Sequence, residues 1–334
     1  MNRFAYAQPR TFAEAASLLG EKRFSLPMLK AGGIDVLDHL KEGLIAPDVL
    51  INVRTLRLEN GAAPVSAAQG GLRIEATATL TEIASSSITR STTPVIAQAV
   101  ESAASPQVRN AASAAGNLLQ RPRCWYYRNE QFDCLKKGGS TCFAVEGENK
   151  FHAIFGGGPC HIVHPSNLAP ALMVTNGVVH VIGSDRASIP IAELFHLPDK
   201  GVKDENNLRP GEVITHITAD AAPASGFYAI KEKQSFDWPM VAAAVAIELN
   251  GTKIAMARVC AGAVAPIPWR LPNVEAALKG VDLADDAALR KACAMASDGA
   301  KPMTENGYKV KLLPVAVRRA TLIAAGRKVE EVES

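Results

Sequence analysis

The chain has 334 residues, of which 48% are hydrophobic and 21% charged, and its net charge at pH 7 is +3. That length allows two domains with substantial cores, and so little excess charge gives no indication of a nucleic-acid partner or an anionic membrane surface. No apolar run approaches the roughly 20 residues that a membrane-spanning helix needs.

The opening residues, Met1-Asn2-Arg3-Phe4-Ala5-Tyr6, lack the basic-then-apolar pattern of a secretory signal. By its own sequence the chain is expected in the cytoplasm. Residues 1–55 alternate helix and strand. Thr11 caps a helix over 12–19, with Glu14 at the capping-box position and Gly20 at the end. A strand over 26–30 runs into Ala31-Gly32-Gly33. Ile34, Leu37 and Leu40 then share one face of a helix that Gly43 stops, and 49–53 is another strand. A hairpin is expected over 72–79, a helix from about Thr81, and an Ala/Val-rich helix over 94–105.

Past the middle of the chain, 178–182 reads as a strand and 191–195 as a helical turn. Leu208-Arg209-Pro210-Gly211-Glu212 makes a turn before a strand over 213–217. Ala221-Ala222-Pro223-Ala224 marks a linker. Apolar strands over 241–249 and 254–263 follow, then helices over 273–278, 286–296 and 310–325, so the last third reads as antiparallel strands packed under helices. Glu330, Glu331 and Glu333 form an acidic tail.

Four of the six cysteines, Cys124, Cys134, Cys142 and Cys160, fall in one stretch with the spacing Cys-x9-Cys-x7-Cys-x17-Cys, while Cys260 and Cys293 stand apart as small buried hydrophobes. In a chain without a signal peptide, such clustering favours metal binding over a disulfide framework. Thiolates suit an iron–sulfur cluster or a structural zinc. Zinc sites usually draw on close Cys-x2–4-Cys pairs, which are absent, so the wide spacing suits a loop wrapped around a bulkier cluster. Trp125, Tyr126 and Tyr127 lie between the ligands, where they can shield a cluster from solvent or face a partner. His152, His161 and His164 flank this loop and read as hydrogen-bonding residues rather than ligands.

Two other segments stand out, one of which can face a bound phosphate. Leu29-Lys30-Ala31-Gly32-Gly33-Ile34-Asp35-Val36 is a strand, a glycine turn and a helix start, where backbone amides and the helix dipole can meet negative charge. By itself such a turn can be mere punctuation, and it is no Gly-x-Gly-x-x-Gly fingerprint. Gly156-Gly157-Gly158-Pro159 fits no nucleotide motif either. The run from Gln107 to Asn117, ending in Ser113-Ala114-Ala115-Gly116-Asn117, offers a second small-residue surface or equally a tightly packed helix end.

Taken together, these segments resemble the FAD-binding subunit of the xanthine dehydrogenase family, the molybdenum hydroxylases. The first resembles the family's Ala-Gly-Gly-Thr-Asp-Leu-Leu loop, which holds the flavin pyrophosphate. The second resembles its Gln-x-Arg-Asn-x-Ala-Ser/Thr-x-Gly-Gly-Asn segment. His164-Pro165-Ser166-Asn167-Leu168 resembles the stretch whose Asp contacts FAD, and Leu208 and Lys231 match later positions near the isoalloxazine. Three departures stand out: Ile34 replaces Thr, Asn167 replaces Asp, and Ala115 replaces the first Gly of the Gly-Gly-Asn triplet.

The resemblance implies an α+β chain. A two-subdomain FAD-binding domain of the vanillyl-alcohol oxidase (PCMH) type would span 1–220, divided near 55. A smaller α+β domain of the CO dehydrogenase flavoprotein type would span 224–330. The implied FAD contacts are residues 29–36, Ser113, Gly116, Asn117, Asn167, Leu208 and Lys231, with no general acid or base. Most family members pass directly from Gly-Asn to Pro-Ser-Asp, whereas here residues 118–164 intervene. Two branches carry a [4Fe-4S] loop at this point, the 4-hydroxybenzoyl-CoA reductase β-subunits and the FAD subunits of periplasmic bacterial aldehyde oxidoreductases. The wide gap between Cys142 and Cys160 resembles the second.

By the same resemblance, an aldehyde is oxidised on a large molybdopterin subunit, and electrons pass through a small [2Fe-2S] subunit to FAD and on to an external acceptor. The assembly would be a heterotrimer, and export folded with a twin-arginine-signal partner would place it in the periplasm. The alternatives are a stand-alone flavoprotein oxidase of the vanillyl-alcohol oxidase fold, and a zinc-stabilised binding module.

Overall fold

The computed structural model describes residues 3–58, 61–233 and 235–329. The acidic tail at Glu330, Glu331 and Glu333 lies outside them. Three sheets succeed one another along the chain. The first is parallel, with β1 (Ala5–Ala7), β2 (Pro27–Lys30) and β3 (Val49–Asn52) in the order β1-β3-β2. Helix α1 (Phe12–Leu19) connects the first two strands and helix α2 (Ile34–Lys41) the next two. α1 starts where expected: Thr11 Oγ1 accepts the Glu14 amide at 3.1 Å. Glu14 reaches back to the amide of Arg10 rather than to that of Thr11.

The second sheet is antiparallel and five-stranded. It comprises β4 (Val65–Ala68), β5 (Gly71–Glu75), β6 (Val178–Ile182), β7 (Ser188–Pro190) and β8 (Val213–Asp220), in the order β4-β5-β8-β6-β7. The hairpin expected over 72–79 therefore sits earlier, as β4 and β5 closed around Gly70, which has φ +75°. Residues 76–79 leave the sheet because Thr79 is taken up as a helix cap. Its hydroxyl accepts the Glu82 amide at 3.1 Å and its own amide donates to Glu82 Oε2 at 2.7 Å. The strand expected over 213–217 runs on to Asp220. The Ala/Val-rich helix is Pro94–Glu101 and stops short of 105, because Ala104 takes φ +47° and Ser105 caps a new turn, Pro106–Arg109.

The third sheet is the antiparallel set β12-β11-β10-β9, built from β9 (Ser225–Lys231), β10 (Pro239–Asn250), β11 (Lys253–Gly262) and β12 (Trp269–Arg270). Helices Pro272–Leu278, Asp286–Ala294 and Tyr308–Ala324 pack with it, as expected of strands under helices. Two large cores form, one beneath the first two sheets and one inside the C-terminal layer. The cysteine-rich stretch carries a small third core of Tyr126, Tyr127, Cys134 and Ala144. Among the described residues no helix is long and apolar enough to cross a membrane.

Candidate functional site

Between the first two sheets lies a cleft of about 540 Å3. Its walls bring together Leu29, Ala31, Gly32, Gly33, Ile34, Asp35 and Val36 with Ser113, Gly116, Asn117 and Asn167. Three sequence candidates are not on the wall. The Lys231 ammonium donates to the Ser102 carbonyl at 2.6 Å, Leu208 packs against the main core, and the Lys30 stem lies behind Gly33.

Glycine is required at both positions of the first turn. A Cβ on Gly32 would run into the Ala111 carbonyl, and Gly33 has φ +83°. Gly33 is also the N-cap of α2 and offers no side chain, so the chain itself supplies no side-chain cap to the first-turn amides. Those orphan donors, at a positive helix end lining the cleft, suit a pyrophosphate.

The opposite wall is firmly built. Leu80, Ala114 and Ala115 bond across to Ala112, Ala78 and Ala76. Ser113 Oγ caps helix Ala114–Leu118 through the Gly116 amide at 3.2 Å. Asn117 Oδ1 accepts the Ser166 hydroxyl at 2.6 Å, tying this wall to the segment that carries Asn167. Ala115 and Ile34, two of the departures, both line the cleft.

Beyond Asn167 the cleft meets a larger cavity of about 1460 Å3, with Arg123, Pro165, Asn167 and residues 237–239 common to both walls. Cys124, Trp125 and His152 line its far side. The Arg123 guanidinium lies 4.9 Å from the centre of the Trp238 ring. Neither residue was picked out from sequence. The signal available was the run of arginines at 121, 123 and 128 around Cys124.

Those arginines converge on α2. Asp35 accepts the Arg121 amide at 2.9 Å, Arg128 Nη2 at 2.8 Å and Arg123 Nη2 at 3.0 Å. Burial alone would raise the Asp35 pKa, but Arg123, the Arg121 amide and Arg128 outweigh it and hold the carboxylate below its usual range. The Asp35 side chain is thus occupied by protein, which leaves its backbone for any ligand in the cleft. One turn on, burial lowers the pKa of His39 and keeps it neutral. Glu205 extends the lattice, pairing with Arg121 at 2.8 Å and with the buried Lys136 at 2.5 Å.

All four clustered cysteines are free thiols. Cys124 senses both Cys134 and Cys142 electrostatically, and burial pushes its pKa to about 11. Cys142 and Cys160 act as hydrogen-bond partners, which pulls Cys142 down and pushes Cys160 up. His152 Nε2 stands 3.3 Å from Cys124 Sγ, so this histidine contacts a thiol from outside the set. Among the described residues no three His, Cys, Asp or Glu side chains converge closely enough for a single metal ion. Cys260 and Cys293 are buried elsewhere, in the main and C-terminal cores.

The family follows from this architecture together with sequence comparison. Residues 2–219 match the FAD binding domain in molybdopterin dehydrogenase, and residues 226–324 match the CO dehydrogenase flavoprotein C-terminal domain. The chain belongs to the FAD-binding medium subunits of the molybdenum hydroxylases, and so is an oxidoreductase subunit.

Among individual proteins, it is 35% identical to the aldehyde oxidoreductase FAD-binding subunit PaoB of Escherichia coli (strain K12), over 93% of this chain and 95% of that one. The nicotinate dehydrogenase FAD-subunit of Eubacterium barkeri is 23% identical, over 85% and 82%. In fold, the chain is similar to quinoline 2-oxidoreductase from Pseudomonas putida 86, with TM-score 0.75 and 18% identity over 97% of this chain and 98% of that one. It is likewise similar to carbon monoxide dehydrogenase from Hydrogenophaga pseudoflava, with TM-score 0.74 and 23% identity over 98% and 99%.

Proposed function

We propose that this chain is the FAD- and [4Fe-4S]-carrying electron-transfer subunit of a heterotrimeric aldehyde oxidoreductase. The single observation that carries it is the placement of four free thiols on one segment, with Cys124 on the wall of the cavity that adjoins the flavin cleft and the segment clamped to the helix that opens that cleft. FAD would lie with its pyrophosphate on the amides of residues 32–35 and against Ser113, Gly116 and Asn117. Asn167 would meet it where the cleft joins the larger cavity. Bound there, the flavin supplies redox chemistry at its isoalloxazine, and the protein contributes orientation and local electrostatics.

Cys124, Cys134, Cys142 and Cys160 would hold the cluster. A four-iron cluster keeps its thiolates farther apart than one zinc ion does, so it does not require them to converge as a mononuclear site would. No side chain around the cleft forms an acid–base pair suited to substrate turnover, so aldehyde oxidation is assigned to a large molybdopterin partner. A small [2Fe-2S] partner would deliver the electrons, and an external acceptor would remove them. The 35% identity to a FAD-binding subunit of an aldehyde oxidoreductase supports that substrate class. Export of the folded assembly on a partner's twin-arginine signal would put it in the periplasm.

Metal and sulfide analysis of the isolated chain tests this. About four iron and four sulfide per chain are expected from four-thiolate cluster chemistry, with flavin bands over a broad iron–sulfur shoulder. One zinc and little iron would defeat the proposal. Cys142→Ser should lose the iron, while Cys293→Ser, at a thiol buried in the C-terminal core, should keep it. Co-purification of two partners with a tagged chain tests the assembly.

A further inference from the structure

We infer that the flavin cleft and the cysteine loop are energetically coupled through Arg128, so that FAD binds more tightly once the loop is loaded with its cluster. This rests on the function proposed above. α2 begins at Gly33, so its position sets the amides that line the cleft. Both acidic residues of α2 pair with arginines of the cysteine segment, Asp35 largely buried and Asp38 half-exposed. Arg128 takes Asp35 Oδ1 at 2.8 Å and also pairs with Asp38 Oδ2. The same guanidinium donates to the carbonyls of Pro122 at 2.8 Å and Arg121 at 3.0 Å, in the strand of chain that enters Cys124. Arg128 is thus one rigid fork holding α2 on one side and the approach to Cys124 on the other. A lysine cannot reproduce that geometry, because its ammonium is a point charge on a flexible stem.

Elsewhere the cysteine loop is held at its edges, by Glu205 on Arg121 and Lys136 and by Asn149 and Asn306 at its far end. Its own core contains only four buried side chains, one of them Cys134 itself. A cluster bonded to 124, 134, 142 and 160 would join four separated points of this loop covalently. Without it, the 121–128 segment loses its covalent tie to the rest of the loop, and the register of its arginines against Asp35 and Asp38 is left to the protein contacts alone. Helix α2 then samples positions in which its first-turn amides no longer converge on the cleft. Linkage makes the effect reciprocal: whatever the cluster contributes to FAD affinity, FAD contributes to cluster retention.

The test is the FAD dissociation constant of the full chain, measured by flavin fluorescence on deflavinated protein. It is measured for wild type and for Arg128→Gln, each iron-loaded and iron-depleted. Depleting wild type of iron should weaken FAD binding roughly tenfold, within the usual range of coupling between sites. Loaded Arg128→Gln should already show that loss, and depletion should add little to it. Arg128→Lys is the second variant, should the first fold poorly, and it should behave in the same way because charge without the fork does not suffice. Equal weakening by depletion in wild type and variant would show two independent effects and overturn the inference. A chain that takes up iron yet binds FAD equally well with and without it would overturn the inference alone. A chain that takes up no iron at all would overturn the proposed function and the inference with it.

Discussion

His39 Nε2 lies 3.0 Å from the Tyr127 hydroxyl, and both rings are buried at the seam between α2 and the cysteine loop. His39 Nδ1 stands 2.8 Å from the Asp35 carbonyl, which can only accept. Because burial keeps this histidine neutral, Nδ1 carries the proton and Nε2 accepts from Tyr127. Tyr127→Phe keeps the ring and removes the donor, leaving a buried acceptor unpaired. It should cost about 1–3 kcal/mol in urea denaturation. A loss within experimental error would mean that water reaches Nε2.

Gly32 is the point at which the two walls of the cleft touch through their backbones. Gly32→Ala should push residues 31–33 away from 111–112, and the protein should be recovered with little flavin. Gly20→Ala is the control: a Cβ there meets only carbonyl oxygens at 3.6 and 3.7 Å, in ordinary contact. Full flavin content in Gly32→Ala, read from the ratio of visible to ultraviolet absorbance, would contradict the backbone contact.

Glu212 closes the 208–212 turn. It accepts Arg186 through both oxygens, at 2.7 and 2.6 Å, with Ser184 Oγ at 2.6 Å and the Arg209 amide at 2.7 Å. Burial pushes its pKa up, but Arg186 and the other donors prevail and hold it at about 2, against 4.5 unperturbed. A folded-state pKa below the unfolded one means that the stabilisation is complete above about pH 4.5 and disappears as pH falls through about 2. Glu212→Gln should therefore lose roughly 3 kcal/mol at neutral pH. The gap from wild type should shrink as denaturation is repeated between pH 4.5 and 2. A gap that stays constant with pH would assign the loss to packing instead.

Lys309 is the largest fully buried side chain, with its ammonium on the carbonyls of Ala263 at 2.7 Å and Phe151 at 3.0 Å. Burial lowers its pKa from 10.5 to about 7. Between those values the unfolded chain holds a proton that the folded one has released, so stability rises with pH across that window. Relative to Lys309→Met, wild type should gain stability steadily from about pH 7 upward in chemical denaturation. A pH-independent difference between the two would place the lysine pKa near its ordinary value.

Much of this molecule could be read from sequence because local chemistry and tertiary structure agree. Thr11, Gly20 and Gly33 punctuate the chain where expected, and the apolar runs over 241–249 and 254–263 fall within β10 and β11. The hairpin was placed too late because Thr77 and Thr79 favour strands by composition, whereas Thr79 is claimed by Glu82 as a cap. The glycine turn stands out from its own residues, composition leaves the Ser113–Asn117 run open, and Asn167 comes only through the family resemblance; the structure brings all of them to one cleft. Arg123, Arg128 and Trp238 do not stand out in the sequence, since each matters only through partners far along the chain; Asp35 and Arg128 are 93 residues apart. Lys231 shows the converse limit. Its sequence position matches a family landmark, while its ammonium is turned to the Ser102 carbonyl.

The far edge of the cysteine loop is fastened by residues made much later. Asn149 exchanges hydrogen bonds with Glu305 and Thr304, Asn306 takes the carbonyls of His152 and Ala153, and the Lys301 amide takes that of Ile154. Those partners are about 150 positions downstream, which is a long loop to close before any contact is gained. During synthesis, the first two sheets can therefore condense while the far edge of this segment is still unfastened. A nascent chain can fasten the near side of the loop to α2 and Glu205 before its far side finds partners in the C-terminal layer. The far edge of the loop therefore closes only once residues 301–306 have been made, so the order of synthesis sets the order in which this segment is fastened.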